Sequence, residues 1–343
     1  MTQSGPPPAP LRALIRMPNW LGDSVMAIPA IKSLKAMFDD CKIDIIINES
    51  LSGLGELLTT TTTIEKTIAL PENDAPRRKA ALAGAAQSSY DLLIILPNSF
   101  RSAWELWSHN IRVRAGYAAS LRSFILTHAI KRPTTHSMSQ SDYFLNLVKE
   151  LYPKIETKDM SLTIPDTAVD NSMSLLASTD RPMVGVGFGA AYGSAKMWPA
   201  DRFAELIDRL EEVAVVVLIG SKSDRAVADK VLDLTKSSPA SLVGKTDIPA
   251  LSAVLSRLDL YITNDTGPMH LSAAVGTSVI AIFGPTSPEE TGPVGENHQV
   301  MYNKADCAPC WRRICPLDHR CMKSISVDEV IAKAQEMLGA SDK

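Results

Sequence analysis

Short apolar runs alternate with longer amphipathic stretches along this chain, which is the rhythm of alternating β-strands and α-helices. Runs rich in Leu, Ile and Val are typical of strands buried in parallel sheets. In the first half, the pattern predicts strands at Ala13–Met17, Ile43–Ile47 and Leu92–Leu96, and helices that begin near Ser24, Ala75 and Ser102. This alternation predicts an α/β fold.

The same rhythm starts again after residues 153–180, which have no strong strand pattern and which we interpret as a linker. The strands predicted in this second series are Met183–Gly187, Val213–Ile219, Leu260–Thr263 and Ser278–Phe283. The predicted helices are Ala200–Glu211, Asp224–Lys236, Ile248–Ser256, Met269–Val275 and Val327–Leu338. We therefore predict two doubly wound, Rossmann-like domains, 11–160 and 175–325, facing a central cleft. A C-terminal helical segment, 326–343, is expected to pack back towards the N-terminal domain.

The composition is that of a globular protein, because 45% of the 343 residues are hydrophobic and 21% are charged. No segment has the density of basic residues typical of a nucleic-acid binder. The N-terminal residues show no signal-peptide pattern, and no apolar run is long enough to span a bilayer. We therefore expect a cytoplasmic protein, in which cysteines are not taken to be disulfides by default.

One segment is basic: between Pro97 and Thr135 there are six Lys and Arg residues and one acidic residue, Glu105. Such a segment can meet an anionic partner, although solvated basic surfaces are commoner. Trp104 and Trp107 lie within it, three residues apart and on one face of a predicted helix. Core packing is the preferred interpretation for both tryptophans, and contact with a substrate is the alternative.

The first motif with chemical potential follows the first predicted strand and reads PNWLGDS, residues 18–24. Gly22 permits a tight turn, and Asp23 stands where a helix begins. Asp23 is therefore either an ordinary helix N-cap or a carboxylate that accepts a proton from a hydroxyl group. The residues alone leave these two interpretations close to even.

A glycine-rich loop opens the second domain, where Gly185, Gly187 and Gly189 are followed by Lys196. Backbone amides in such a loop can approach phosphate oxygens, and the lysine can supply a point charge to a diphosphate. The spacing does not match the G-x-G-x-x-G fingerprint, which argues against a dinucleotide-dependent dehydrogenase. The ordinary alternative is a βα turn without a ligand.

The most specific motif is NDTGPMH, residues 264–270, between a predicted strand and a helix of small residues. Asp265, Thr266 and the amides of Thr266 and Gly267 are expected to cluster at a helix N-terminus, which attracts anions. His270 follows one helical turn later and can reach the same region. A capping aspartate beside an incidental histidine would leave this many polar groups at one strand end unexplained.

Together these motifs resemble those of the ADP-heptose:lipopolysaccharide heptosyltransferases, and most of all the heptosyltransferase II group. The likeness rests on MPNWLGDSVMAIPAIKSL, GAAYGSAKMWP, NDTGPMHLSAAVGTSVIAIFGPTSP and a cysteine-rich tail, and it extends over residues 11–340. It implies a GT-B fold and an inverting transfer of heptose from ADP-heptose to the inner core of lipopolysaccharide, without a metal or cofactor. The acceptor would bring the protein into transient contact with the inner face of the inner membrane.

The resemblance also implies roles for individual residues. Asp23 matches the base that deprotonates the acceptor hydroxyl, and Lys196 matches the lysine that binds the donor phosphates. The implied donor site consists of Gly189, Lys196, Asp265, Thr266, Gly267 and His270. Asn19 and Arg101 are expected to contact the acceptor. The alternatives are a related heptosyltransferase that acts on another acceptor (the first core heptose or a protein) and a GT-B sugar-nucleotide epimerase.

The cysteine-rich tail contains Cys307, Cys310, Cys315 and Cys321. A C-x-x-C pair with two further cysteines nearby can place four thiolates around a structural zinc ion, although the spacing is shorter than in ordinary two-knuckle sites. Structural zinc, a disulfide pair and buried free thiols are comparable interpretations of this segment.

Overall fold

The computed structural model describes residues 5–340 apart from residues 63, 135, 137, 155, 156 and 177. The chain divides into two compact units, Met1–Thr163 and Ile164–Lys343. Each unit contains one six-stranded sheet, and all ten strand pairs are parallel. The predicted α/β fold of two doubly wound units is confirmed. The division at Thr163 falls within the stretch interpreted as a linker.

The first unit has its sheet in the order β3-β2-β1-β4-β5-β6. Its strands are β1 (Arg12–Arg16), β2 (Lys42–Asn48), β3 (Lys66–Leu70), β4 (Leu92–Ile95), β5 (Val113–Tyr117) and β6 (His128–Ile130). Its helices are α1 (Leu21–Met26), α2 (Ile28–Met37), α3 (Ser52–Thr62), α4 (Ala75–Ala86), α5 (Phe100–Trp107) and α6 (Gln140–Leu151). Side-chain caps start three of these helices, because Asp74, Ser99 and Ser139 each accept a hydrogen bond from the backbone N–H three residues later.

The second unit repeats this plan in the order β12-β11-β10-β7-β8-β9. Its strands are β7 (Met183–Gly187), β8 (Val215–Ile219), β9 (Ala240–Ser241), β10 (Leu260–Asn264), β11 (Val279–Ile282) and β12 (His298–Met301). Its helices are α7 (Asp166–Ser172), α8 (Ala200–Leu210), α9 (Arg225–Leu234), α10 (Ile248–Leu255), α11 (Gly267–Ala274), α12 (Pro288–Thr291), α13 (Arg320–Lys323) and α14 (Val327–Ala340).

Strand order places one switch point in each unit. In the first, the chain builds outward from β1 through β2 and β3 and then returns to β4 on the other side of β1. In the second, β7 and β10 have the same relation. Loops that leave the carboxyl ends of such strands diverge and open a crevice that binds ligands in this class of fold. The candidate residues at 18–24 and 188–198 follow β1 and β7, and those at 265–267 follow β10.

The structure adds detail to two expectations, one about the linker and one about the C-terminal segment. The predicted linker contains α7, which packs against α10 in the second unit. The C-terminal helix α14 packs against α8, and its Val330, Ile331 and Ala334 are buried in the second unit's core. Its apolar face therefore completes the core of its own unit, and packing of this segment towards the N-terminal domain stays a prediction. Among the residues that the structure describes, no helix combines the length and the apolar character needed to cross a membrane.

Candidate functional site

The loop between β7 and α8 is fixed to the neighbouring strand by one buried amide. Asn264, the last residue of β10, donates from Nδ2 to the carbonyl of Phe188 (3.0 Å) and accepts at Oδ1 from the backbone N–H of Trp198 (3.2 Å). One side chain thus holds both ends of the glycine-rich loop at the switch point. Asn264 belongs to the motif found in the sequence, but that reasoning gave it no role.

Asp265 is the centre of a buried polar cluster at the carboxyl ends of β7, β10 and β11. Its Oδ2 accepts hydrogen bonds from Lys196 Nζ (2.5 Å), Thr286 Oγ1 (2.7 Å) and Thr291 Oγ1 (3.3 Å). Lys196 is 8% exposed and Asp265 is 5% exposed. The carboxylate therefore fixes the ammonium group at the strand ends and joins three loops, and charge-assisted hydrogen bonds of this kind are among the strong ones.

His270 lies in α11, next to this cluster. Burial lowers the pKa of its imidazole to about 4, Asp265 opposes this shift, and Lys196 adds to it. Its Nδ1 is buried and has no hydrogen-bond partner among the described residues. The ring is therefore neutral at pH 7 and supplies hydrogen-bonding groups but no charge.

The helix α11 begins beside Asp265. Gly267 is its first residue, and Thr266 is its N-cap, with extended backbone and no capping bond from its side chain. The positive end of the helix therefore stands at the same strand end as the ammonium group of Lys196. This is the cluster that the sequence motif predicted for Asp265, Thr266 and Gly267.

Two glycines set the path of the loop that carries Lys196. A Cβ on Gly189 would lie 2.5 Å from Oδ1 of Asp224, whose carboxylate is itself held by the backbone N–H and hydroxyl of Ser221. Gly193 has φ +154, and a Cβ there would lie 2.3 Å from the carbonyl oxygen of Arg313. A side chain at either position would push the loop away from its support.

The cysteine-rich tail covers this loop. Tyr192, whose ring lies 4.8 Å from Lys196 Nζ, donates from its hydroxyl to the carbonyl of Trp311 (2.6 Å). The backbone N–H groups of Cys310 and Trp311 both donate to the carbonyl of Pro285, at 3.0 and 2.9 Å. Residues 310–313 thus clamp the loop after β7 to the turn after β11.

The cysteines themselves form no metal site. All five are free thiols, and Cys321 is buried. Over the described part of the chain, no three His, Cys, Asp or Glu side chains come together in a group that could hold a metal ion. Of the three interpretations of Cys307, Cys310, Cys315 and Cys321, the structure therefore supports free thiols, though only Cys321 of the four is buried. In this structure, backbone hydrogen bonds of Cys310 and Trp311 hold the segment against the turn after β11.

Asp23 lies in the first turn of α1, just beyond β1. The N-cap of this helix is Trp20, whose side chain makes no capping bond, so the N-cap interpretation of Asp23 is wrong. The backbone carbonyl of Asp23 accepts from the N–H of Ala27 (3.0 Å), and its side chain is half-buried. A carboxylate thus stands at the switch point of the first unit, where a ligand is expected.

A second feature of the first unit is a cavity of about 200 Å³ at the same end of the sheet. Arg16 is its buried centre: the guanidinium donates to Oδ1 of Asn19 (2.7 Å) and to Oδ1 of Asn48 (3.1 Å). Burial lowers the pKa of Arg16 to about 10, with a smaller contribution from the charge of Arg78. The side chain remains a cation at neutral pH.

Two further arginines line the cavity and share one carboxylate. Arg78 binds Glu105 through two hydrogen bonds of 2.9 and 2.7 Å, and Arg101 binds the same group at 2.6 Å. Burial acts to raise the pKa of Glu105, but the hydrogen bonds and charges of the two arginines outweigh burial and lower the pKa below its usual range. The cavity therefore has three cations near two carboxylates, Glu105 and the exposed Glu72.

The structure groups the predicted residues by unit. Lys196, Asp265 and His270 form one cluster in the second unit, whereas Asn19 and Arg101 line one cavity in the first. Besides Asn264, sequence reasoning gave no role to Arg16, Arg78 and Thr291. Arg16 carried a signal, since it is the one charged residue in the apolar run Ala13–Met17. Arg78 and Thr291 lie in polar stretches that give no local sign of their contacts.

Two doubly wound units in one chain are a feature of the GT-B class of glycosyltransferase fold, and the match to solved structures gives this assignment. The structure of an ADP-heptose lipopolysaccharide heptosyltransferase II from E. coli matches with a TM-score of 0.82 and 22% identity, covering 97% of this chain and 100% of that one. An E. coli heptosyltransferase solved with ADP matches with a TM-score of 0.73 and 20% identity, covering 95% and 99%.

Sequence comparison gives the family. A lipooligosaccharide heptosyltransferase 2 from Campylobacter jejuni is 28% identical, over 96% of this chain and 98% of its own length. The profile of glycosyltransferase family 9 (heptosyltransferase) matches residues 81–320. The chain belongs to this family, so the predicted family and GT-B fold are confirmed.

Proposed function

We propose that the protein transfers heptose, with inversion, from ADP-heptose to the inner core of lipopolysaccharide, as a heptosyltransferase II does. The observation that carries this proposal is the ammonium group of Lys196, which Asp265 holds at the switch point of the second unit in a family 9 chain. The names of the relatives, which include a heptosyltransferase 2 and a heptosyltransferase II, support this choice of donor and acceptor.

The second unit binds the donor in this proposal. Lys196 and the positive end of α11 meet the diphosphate, and the amides near Gly189 add hydrogen bonds. Asp265 carries a negative charge and cannot stabilise a phosphate, so its part is to orient Lys196 and the loops that bear Thr286 and Thr291. His270, being neutral, contributes hydrogen bonds to the donor without adding charge. No metal or cofactor takes part in the proposed reaction.

The first unit provides the base. Asp23 takes the proton from an acceptor hydroxyl while that oxygen forms a bond to the anomeric carbon and the bond from this carbon to the ADP oxygen breaks. A general base in this position contributes about 10²–10⁴-fold to the rate. The departing ADP carries the electron pair of the broken bond, which the charge of Lys196 stabilises.

The cavity around Arg16 binds the acceptor. Its cations outnumber its carboxylates, and Asn19 and Arg101 line it together, which suits the anionic sugars and phosphates of a lipopolysaccharide core. Because this acceptor is anchored in a lipid, the protein works in the cytoplasm at the inner face of the inner membrane.

The test is to incubate the protein with ADP-heptose and defined truncated core acceptors and to identify products by mass spectrometry. We expect one added heptose and the loss of this product in Asp23→Asn, with ADP affinity retained. Asp40→Asn, at an exposed carboxylate of the same unit, is the matched control. Transfer by Asp23→Asn at nearly the wild-type rate would remove Asp23 from the role of base. Donor isomerised without an acceptor would identify an epimerase, and heptose transfer to a protein or to a heptose-free core would identify one of the related heptosyltransferases.

A further inference from the structure

The first unit exposes a group of large apolar side chains that its core does not use. We call Phe100, Trp104, Trp107, Leu121 and Phe124 the aromatic surface. Leu121 is 89% exposed, Phe124 is 69% exposed, and both tryptophans are close to half exposed. The preferred interpretation of Trp104 and Trp107 as core residues is therefore wrong. Single exposed apolar residues are ordinary, but a contiguous group usually marks an interaction site.

The aromatic surface is contiguous. Along α5, the ring of Trp107 lies 5.1 Å from that of Trp104, which lies 5.6 Å from that of Phe100. Phe100 in turn lies 6.2 Å from Phe124, across to the loop between β5 and β6. Helix and loop thus present one continuous row of rings, with Leu121 in the same loop.

A buried arginine holds the two halves of this surface together. Arg122 is fully buried, and its guanidinium donates to the carbonyl of Tyr117 (3.0 Å) at the start of the loop and to the carbonyls of Pro97 and Ser99 at the start of α5. Its pKa is lowered to about 10 by burial, so it remains charged at neutral pH. The cation is placed beneath the aromatic surface and fixes the loop on the helix, so the exposed rings are built into a rigid support.

The loop also has an unfavourable backbone at its most exposed point. Ser120 and Leu121 have φ of 51 and 57, the left-handed region that costs roughly 1 kcal/mol or more for residues other than glycine. Leu121 regains little of this through packing, because it is almost entirely in solvent. Backbone strain of this kind clusters at active sites, ligand-binding sites and switch regions.

The charge of residues 97–135, which contain the aromatic surface, indicates what kind of partner this surface binds. Besides Arg101, its exposed basic side chains are Arg112, Lys131 and Arg132, and its one acid, Glu105, is already paired with Arg78 and Arg101. Exposed aromatic rings within a segment of net positive charge match the interface of an anionic bilayer, where rings lie at the level of the headgroups and cations meet lipid phosphates.

We propose that the aromatic surface docks the protein on anionic lipid bilayers, with Leu121 and Phe124 entering the headgroup region and the exposed basic side chains of residues 97–135 contacting lipid phosphates. This proposal deepens the proposed function, on which it rests for its purpose: docking brings the first unit to an acceptor that is itself anchored in lipid. The same rings could instead bury against a second copy of the chain, which the test below distinguishes.

The experiment measures sedimentation of the full chain with vesicles of phosphatidylcholine, or of phosphatidylcholine mixed with the anionic lipid phosphatidylglycerol, whose negative surface potential attracts basic segments. We expect binding only to the anionic vesicles, weakened by salt, with a blue shift of tryptophan fluorescence from Trp104 and Trp107. The variant Leu121→Asn/Phe124→Ser should bind at least about tenfold more weakly, and asparagine tolerates the left-handed backbone. The matched control, Ile314→Ser/Leu317→Ser, replaces two comparably exposed apolar residues of the second unit.

Equal binding by the wild type and by Leu121→Asn/Phe124→Ser would overturn the proposal. So would a dimer in sedimentation velocity that this variant dissociates while vesicle binding stays unchanged. Transfer to a delipidated, water-soluble acceptor separates the two proposals. The variant should keep that activity and lose transfer to acceptor embedded in vesicles, whereas a protein inactive on every heptose acceptor but still docking would refute the proposed function alone.

Discussion

Substituting the two members of the ion pair between Lys196 and Asp265 should have different effects on ADP affinity. Lys196→Met removes the ammonium group that the proposal places on the donor diphosphate. A hydrogen bond to a charged group contributes about 1.5–3 kcal/mol, so ADP affinity should fall about ten- to one-hundredfold. The carboxylate of Asp265 would then face the diphosphate without its cation, which adds to the loss.

Asp265→Asn removes the negative charge but leaves an oxygen to accept from Thr286 and Thr291. The amide oxygen of asparagine can still accept from Lys196 and orient it, while no carboxylate competes with the diphosphate, so ADP affinity should stay the same or rise. Without ADP the cost appears in stability: removing one partner of a buried pair costs about 3–5 kcal/mol. Some cation–π contact with Tyr192 remains, which favours the lower end of this range. ADP should restore much of the lost stability.

Calorimetry gives the ADP affinities, and hydrogen exchange at the β10 amides, with and without ADP, gives the stability of the second unit. The double variant Lys196→Met/Asp265→Asn should lose less stability than either single variant, because no buried charge is left unpaired. Lys304→Met, at an exposed lysine of the same unit, is the control. The reasoning fails if Asp265→Asn weakens ADP binding as strongly as Lys196→Met does.

Two other predictions concern groups beside this pair. The pKa of His270 is about 4 when folded and about 6.5 when unfolded, so its stabilising effect is complete above pH 6.5 and is lost as the pH falls towards 4. Between pH 7 and pH 5 this amounts to about 2 kcal/mol; His270→Gln should remove that part of the pH dependence, measured by denaturant unfolding, and an unchanged slope would contradict the pKa. Asn264→Leu leaves the carbonyl of Phe188 and the N–H of Trp198 without their partner, so we expect a loss of about 2–4 kcal/mol and weaker ADP binding. Unaltered melting and calorimetry would show that the loop holds its place without this side chain.

The sequence by itself determined the central strands and the strand ends at which the candidate site residues lie. Runs of Leu, Ile and Val are long enough to identify central strands such as β1, β7 and β10, because burial on both faces of a sheet demands an unbroken apolar run. Polar motifs that follow such strands are brought to one edge by parallel pairing alone. For this reason Asp23, Lys196 and Asp265 were placed at strand ends before any contact was known. Edge elements such as β9, with two residues, were too short to give a pattern.

Only the tertiary structure decided which side chains meet. Lys196 and Asp265 are 69 positions apart, and their contact depends on β10 lying beside β7. Whether the tryptophans of α5 face the core or solvent depends on what covers that helix, since an amphipathic period defines a face but not what lies against it. The helix α14 shows the same limit, because its apolar face was recognisable while its partner, α8, was not. Local periodicity encodes faces and ends, whereas strand order and packing choose their partners.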